Sequence, residues 1–214
     1  MKRRDICVTG LAAAGALAWP EPTLAQRQPR EGEEYRPLGR RAPVEAPAGK
    51  IEVVEFFWYS CPHCNAFEPK LVSWIRKLPA DVQMRRVPVA FRDDFFPQQR
   101  LFYTLQAMGR LDDLHGKVFE SIHVQLQGVN TQETILKFAE RQGLDKAKFL
   151  EIYNSFSIAT KARNGTQLQE TYGVEGVPSM GVAGRWYTDG DMAGNMDRVL
   201  QVVDYLIAEA RKSR

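Results

Sequence analysis

Cys61-Pro62-His63-Cys64 stands between an apolar, aromatic run, Val53-Val54-Glu55-Phe56-Phe57-Trp58-Tyr59, and a stretch of helical spacing that begins at Asn65. Two thiols two residues apart at a strand-to-helix junction read as a redox dithiol. A helix N-terminus presents unpaired backbone N–H groups and positive dipole charge. Cys61 would occupy its cap, and Pro62 the first helical position, where a missing N–H costs nothing. Cys61 is therefore expected as a stabilised thiolate and Cys64, one turn in, as its shielded partner. The dipole supplies at most about 2 kcal/mol, which lowers a thiol pKa by roughly 1.5, to near 7. Going lower needs direct hydrogen bonds and a neighbour, and His63 is the one titratable side chain between the cysteines. On this reading His63 sets the oxidising strength.

Two structural alternatives fit the motif less well. A disulfide that closes a four-residue ring contributes only about 2 kcal/mol by chain entropy. A zinc site wants four ligands, and the remaining histidines, His115 and His123, recreate no ligand spacing. Both are expected as ordinary helical residues, and no metal is expected.

The first residues have the form of an export signal. Lys2, Arg3 and Arg4 precede an apolar stretch from Ile6 to Trp19, and Thr23-Leu24-Ala25 offers a small-residue cleavage site. That stretch is too short to span a bilayer. Residues 1–25 are thus expected to be a cleaved signal, exported by the general secretory or the twin-arginine route. Cleavage removes Cys7 and leaves Cys61 and Cys64 as the two cysteines, in a compartment where disulfides persist. Net charge falls from +3 to about +2, too little to favour nucleic acid or a membrane surface.

The rest of the chain reads as an α/β plan interrupted by helices. Residues 26–50 form a polar, proline-rich arm with one edge strand near Tyr35–Leu38. The near-continuous apolar run over 51–59 suits a strand covered on both faces. Phe67, Leu71, Trp74, Ile75 and Leu78 then mark a helix over 62–78, and Val82–Val89 a second core strand. Residues 93–156 carry only helical patterns, punctuated by Gly109, Gly143 and the caps Thr131 and Asp145. A helix over 157–172, two strands around Gly184 and a helix opened by Asn195 follow. Residues 51–92 and 157–214 would thus form one sheet-based unit, with 93–156 inserted into it.

In order and spacing, Glu55-Phe56-Phe57, Cys61-Pro62-His63-Cys64 and Gly176-Val177-Pro178 resemble the DsbA family, exported thiol:disulfide oxidoreductases of thioredoxin fold with an inserted all-helical domain. The resemblance covers essentially the whole chain after the signal. It implies Cys61 as the attacking and attacked thiol, Cys64 as the resolving one, and a cis Val177-Pro178 peptide facing the disulfide. It also implies that Glu55 is a buried acid assisting proton transfer at Cys64; pairing of Glu55 with Arg86 is the structural alternative. Pro178, without an N–H, would keep the strand edge beside Cys61 open, and Gly176 and Val177 would offer main chain to an extended peptide. Gly181 departs from the family's bulky apolar residue, which puts local packing in question.

The function expected is donation of the Cys61–Cys64 disulfide to reduced, unfolded exported proteins in the periplasm, with no other cofactor. A quinone-linked membrane partner of the DsbB type would restore the disulfide, and the protein would be a monomer that binds no nucleic acid. The alternatives are a disulfide isomerase or reductase, and a non-enzymatic thiol chaperone or metal-delivery module.

Overall fold

A computed structural model describes residues 27–213. The signal-like segment, Cys7 and its cleavage site lie outside the described residues. The elements run β1 (Arg36–Pro37), β2 (Ile51–Phe57), α1 (Pro62–Ile75), β3 (Val82–Pro88), α2 (Phe96–Ala107), α3 (Leu111–His123), α4 (Gln132–Arg141), α5 (Lys146–Tyr153), α6 (Phe156–Tyr172), β4 (Ser179–Val182), β5 (Trp186–Asp189), α7 (Gly190–Ala193) and α8 (Met196–Lys212). The sheet order is β1-β5-β4-β2-β3, parallel between β2 and β3 and antiparallel elsewhere.

Every residue of β2 is buried, as a strand covered on both faces requires. Its alternation sorts the core. Val53 packs with Phe67 and Leu71 of α1 and Val199, Val203 and Leu206 of α8, whereas Val54 and Phe56 face Leu168 and Tyr172 of α6. The inserted helices α2–α5 build a third core around Leu101, Phe102, Val118 and Phe138, and Phe57 and Tyr59 reach into it from the end of β2. The thioredoxin fold with an inserted helical unit is therefore present.

Local chemistry accounts for the helix ends. Thr131, Asp145 and Asn195 each cap a helix through a side-chain oxygen, and Gly173 ends α6 in the left-handed region at φ 60°. Several elements differ from the sequence reading: the strand expected over 51–59 ends at Phe57, and the short α7 was not foreseen. Helix α1 stops at Ile75, because Lys77 and Leu78 bond three residues back and tighten the last turn. The edge strand shrinks to Arg36–Pro37, with one more backbone bond beyond it, from Leu38 N–H to the Arg185 carbonyl at 2.7 Å.

Candidate active site

Cys61 is the N-cap of α1, and Pro62 follows at its first position. The Cys61 sulfur accepts the backbone N–H of Cys64 at 3.4 Å, and its thiol donates to the Val177 carbonyl at 3.4 Å. Its pKa is lowered to about 6: hydrogen bonding from the Cys64 thiol is the largest cause, and it outweighs burial together with the backbone N–H groups of Cys64 and His63. The His63 imidazole is exposed, and its charge ranks behind those donors. The weight that the sequence put on that side chain thus shifts to Cys64 and to main chain. Cys64, 1% exposed, is the opposite case: burial and the neighbouring Cys61 sulfur push its thiol far above the ordinary range.

The Val177-Pro178 peptide is cis, and Val177 presents its carbonyl to Cys61. Residues 176 and 177 lie just before Ser179, where pairing of β4 to β2 begins, so their main chain runs past the sheet ladder. Beside them opens a cleft of about 700 Å³, walled by His63, Gly176, Val177, Pro178, Met192 and Met196.

Beneath the thiols lies a buried charge cluster. Glu55, 1% exposed, stands in register with Arg86 across the β2–β3 pair, and Arg86 Nη1 donates to Glu55 Oε2 at 3.1 Å. Arg86 also holds both oxygens of Glu68 on α1, at 2.6 and 2.9 Å. One guanidinium cannot neutralise two buried carboxylates. Burial raises the Glu55 carboxyl to about 7 against the pull of Arg86, with the Glu68 charge pushing it further. Burial also acts upward on Glu68, but Arg86, donating to both of its oxygens, holds that carboxyl below its usual range. The pairing of Glu55 with Arg86 is real, yet it leaves Glu55 able to carry a proton near neutral pH.

A pH dependence of stability follows. An unfolded carboxyl titrates near 4.5 and the buried Glu55 near 7, so the folded state binds the extra proton between those values. Stability is lost as pH rises through this window, at about 1.4 kcal/mol for each pH unit. Glu55→Gln removes the charge and keeps a group that can accept from Arg86. In urea titrations it should be more stable than the parent at pH 8, by roughly 3 kcal/mol, with the gain shrinking toward zero at pH 4.

Several site residues escaped the sequence reading. Glu68 lies four positions after Cys64, one turn along the same helix face, and that spacing was a usable signal. His115 and His123 are not ordinary helical residues. His115 is buried against Arg86 and Tyr59, and His123 Nε2 donates to the Tyr59 carbonyl at 2.8 Å. The signal for His115 was its place in the stripe Leu114, Val118, Phe119, where an imidazole must find buried partners. Among the described residues no group of three or more His, Cys, Asp or Glu is arranged to hold a metal ion.

A thiol that ionises readily, set one turn from a thiol that does not, is built to exchange disulfides. With this fold around it, the pair makes the chain a protein thiol:disulfide oxidoreductase. The model of the DSBA-like thioredoxin domain family matches residues 52–206, and the chain belongs to that family. The thiol:disulfide interchange protein DsbA of Burkholderia cepacia is 38% identical over 96% of this chain and 94% of its own length. That of Pseudomonas aeruginosa is 44% identical over 84% of this chain and 85% of its own. The crystal structure of the Pseudomonas aeruginosa DsbA superposes with a TM-score of 0.81 at 43% identity, covering 86% of this chain and 95% of that one. The oxidoreductase DsbA from Xylella fastidiosa gives a TM-score of 0.81 at 27% identity, covering 87% and 100%.

Proposed function

We propose that this oxidoreductase works as an oxidant, donating a Cys61–Cys64 disulfide to reduced, unfolded exported proteins. The asymmetry of the two thiols carries this reading: Cys61 is lowered to about 6 while Cys64 is pushed up. A stable Cys61 thiolate favours the reduced enzyme and makes the disulfide a strong acceptor of electrons.

A client thiolate attacks the Cys61 sulfur, the Cys61–Cys64 bond breaks, and Cys64 departs with the electron pair. Buried Cys64 cannot remain an anion, so it takes a proton, for which Glu55 is the nearby acid. A second client thiolate then attacks the client sulfur of the mixed disulfide, and Cys61 departs as thiolate. The client gains a disulfide and the enzyme keeps the two electrons, for a quinone-linked membrane partner of the DsbB type to remove. Gly176, Val177 and Pro178 hold the client by main chain, so recognition is independent of its sequence. Residues 1–25 direct export to the periplasm, where the enzyme acts as a monomer with no cofactor beyond its disulfide and no role in binding nucleic acid. Among the described residues no helix is long and apolar enough to cross a membrane.

The test is the equilibrium of the Cys61–Cys64 pair against glutathione, together with oxidation of a reduced, unfolded disulfide protein. A poise more oxidising than the glutathione couple, with rapid client oxidation, is expected. A reducing poise, or rescue of scrambled disulfides faster than oxidation of reduced thiols, would replace the reading with a reductase or isomerase.

A further inference from the structure

His115 belongs to the inserted helix α3, yet it touches the charge cluster under the thiols. It is 6% exposed and ringed by Phe57, Phe102 and Phe119, with centroids 5.2, 6.1 and 5.3 Å away. Its Nε2 lies 2.6 Å from Arg86 Nη1, and its Nδ1 2.8 Å from the Tyr59 hydroxyl. Arginine only donates, so Nε2 is the bare nitrogen and accepts. The ring proton is then on Nδ1, which donates to the Tyr59 oxygen. Burial keeps the imidazole below its usual range, and the Arg86 charge acts in the same direction, so it is neutral at pH 7.

Arg86 Nη1 carries two hydrogens but has three acceptors within reach. Glu68 Oε2 and His115 Nε2 are each at 2.6 Å, and Glu55 Oε2 is the farthest at 3.1 Å. We propose that His115 is a positioning residue for Glu55: by competing for the Nη1 hydrogens, it weakens the hydrogen bond that Arg86 gives Glu55 and leaves that carboxyl able to carry the proton Cys64 needs. The charged and titratable groups around it come from every packed element: Glu68 and Cys64 on α1, Glu55 on β2 with Tyr59 just beyond it, Arg86 on β3, and Asp112 on α3 itself. An inserted helix thereby tunes a proton held in the sheet.

This inference rests on Glu55 as the proton carrier, so the measurement reads Glu55 directly, by carboxyl-carbon NMR of glutamate-labelled protein across pH. In His115→Phe the hydrogen bond from Arg86 to Glu55 loses a competitor and strengthens, and the Glu55 midpoint should fall by about one pH unit from the parent value, a tenfold change in proton affinity. His115→Gln restores an acceptor toward Arg86 and should return the midpoint to within a few tenths of the parent. An unchanged midpoint in His115→Phe, with only thermal stability reduced, overturns the proposal, as does an equal displacement in His115→Gln. Should His115→Phe fail to fold, Tyr59→Phe removes the oxygen that orients the ring. The same downward movement supports the proposal there, and no movement overturns it. A displaced Glu55 with an unaltered pH profile of client oxidation would uphold His115 while removing Glu55 from the redox step.

Discussion

Cys61→Ser should bring oxidation of a reduced, unfolded protein down to the rate of the uncatalysed control, because no second sulfur is left to accept the client thiolate. Cys64→Ser should also stop turnover, but by a different route: it keeps the Cys61 thiolate, which attacks a disulfide-bonded client, displaces one client thiolate and, with no Cys64 to resolve it, accumulates as a Cys61-linked mixed disulfide that nonreducing gels resolve. The informative variant is Cys64→Ala. Hydrogen bonding from the Cys64 thiol is the largest cause of the low Cys61 pKa. A hydrogen bond to a charged group is worth about 1.5 to 3 kcal/mol, so its loss should raise the Cys61 midpoint from about 6 by roughly one to two pH units. Ultraviolet thiolate absorbance would follow the titration. His63→Ala removes an exposed imidazole whose charge is the smallest of the named causes and leaves its backbone N–H in place. It should therefore displace the midpoint upward by less than Cys64→Ala does. A larger displacement in His63→Ala would return the controlling role to the side chain between the cysteines.

That contrast shows which information a sequence carries. The cap at Cys61, the proline after it and the buried strand before it are local patterns, and each appears where its spacing placed it. The helix caps Thr131, Asp145 and Asn195 are local in the same sense. The charge cluster is different. Glu55, Glu68, Arg86 and His115 come from four elements, and no periodicity within one element states that they meet. Pairing of Glu55 with Arg86 was accessible because parallel neighbours share a register. The approach of α3 to β3 was not, since it depends on how the inserted helices dock against Phe57 and Tyr59. The weight of the His63 imidazole was not legible for a related reason: sequence adjacency says nothing about whether a ring turns toward a sulfur or toward solvent, and here it is exposed.

Gly181 illustrates how an apparent weakness in the pattern is resolved by a distant residue. A strand interior without a side chain normally packs poorly. Here Gly181 stands in register with Val54 and Tyr187 on the face covered by α6, and the buried Tyr172 ring occupies its missing volume. A Cβ at Gly181 would lie 2.7 Å from Tyr172 Cζ and closer still to Cε1. Tyr172 also packs on Phe56, with ring centroids 5.1 Å apart. Tyr172→Ala should therefore cost about 3 to 5 kcal/mol, as emptied aromatic sites do. Gly181→Leu alone should cost about 1 to 3 kcal/mol through overpacking. Combined, the two changes should cost less than their sum, because leucine fills the space the ring leaves. Denaturant midpoints of the four proteins in this cycle give the coupling, and strict additivity would separate the two residues. The contact also brackets the segment 173–178, since Tyr172 ends α6 and Gly181 lies three residues beyond Pro178. Loosening it should free the Val177-Pro178 wall while α1 and its Cys61 cap stay intact. Tyr172→Ala, assayed where it remains folded, should alkylate at Cys61 at the parent rate yet oxidise an unfolded client several-fold more slowly; equal losses in both would place the defect in α1 instead.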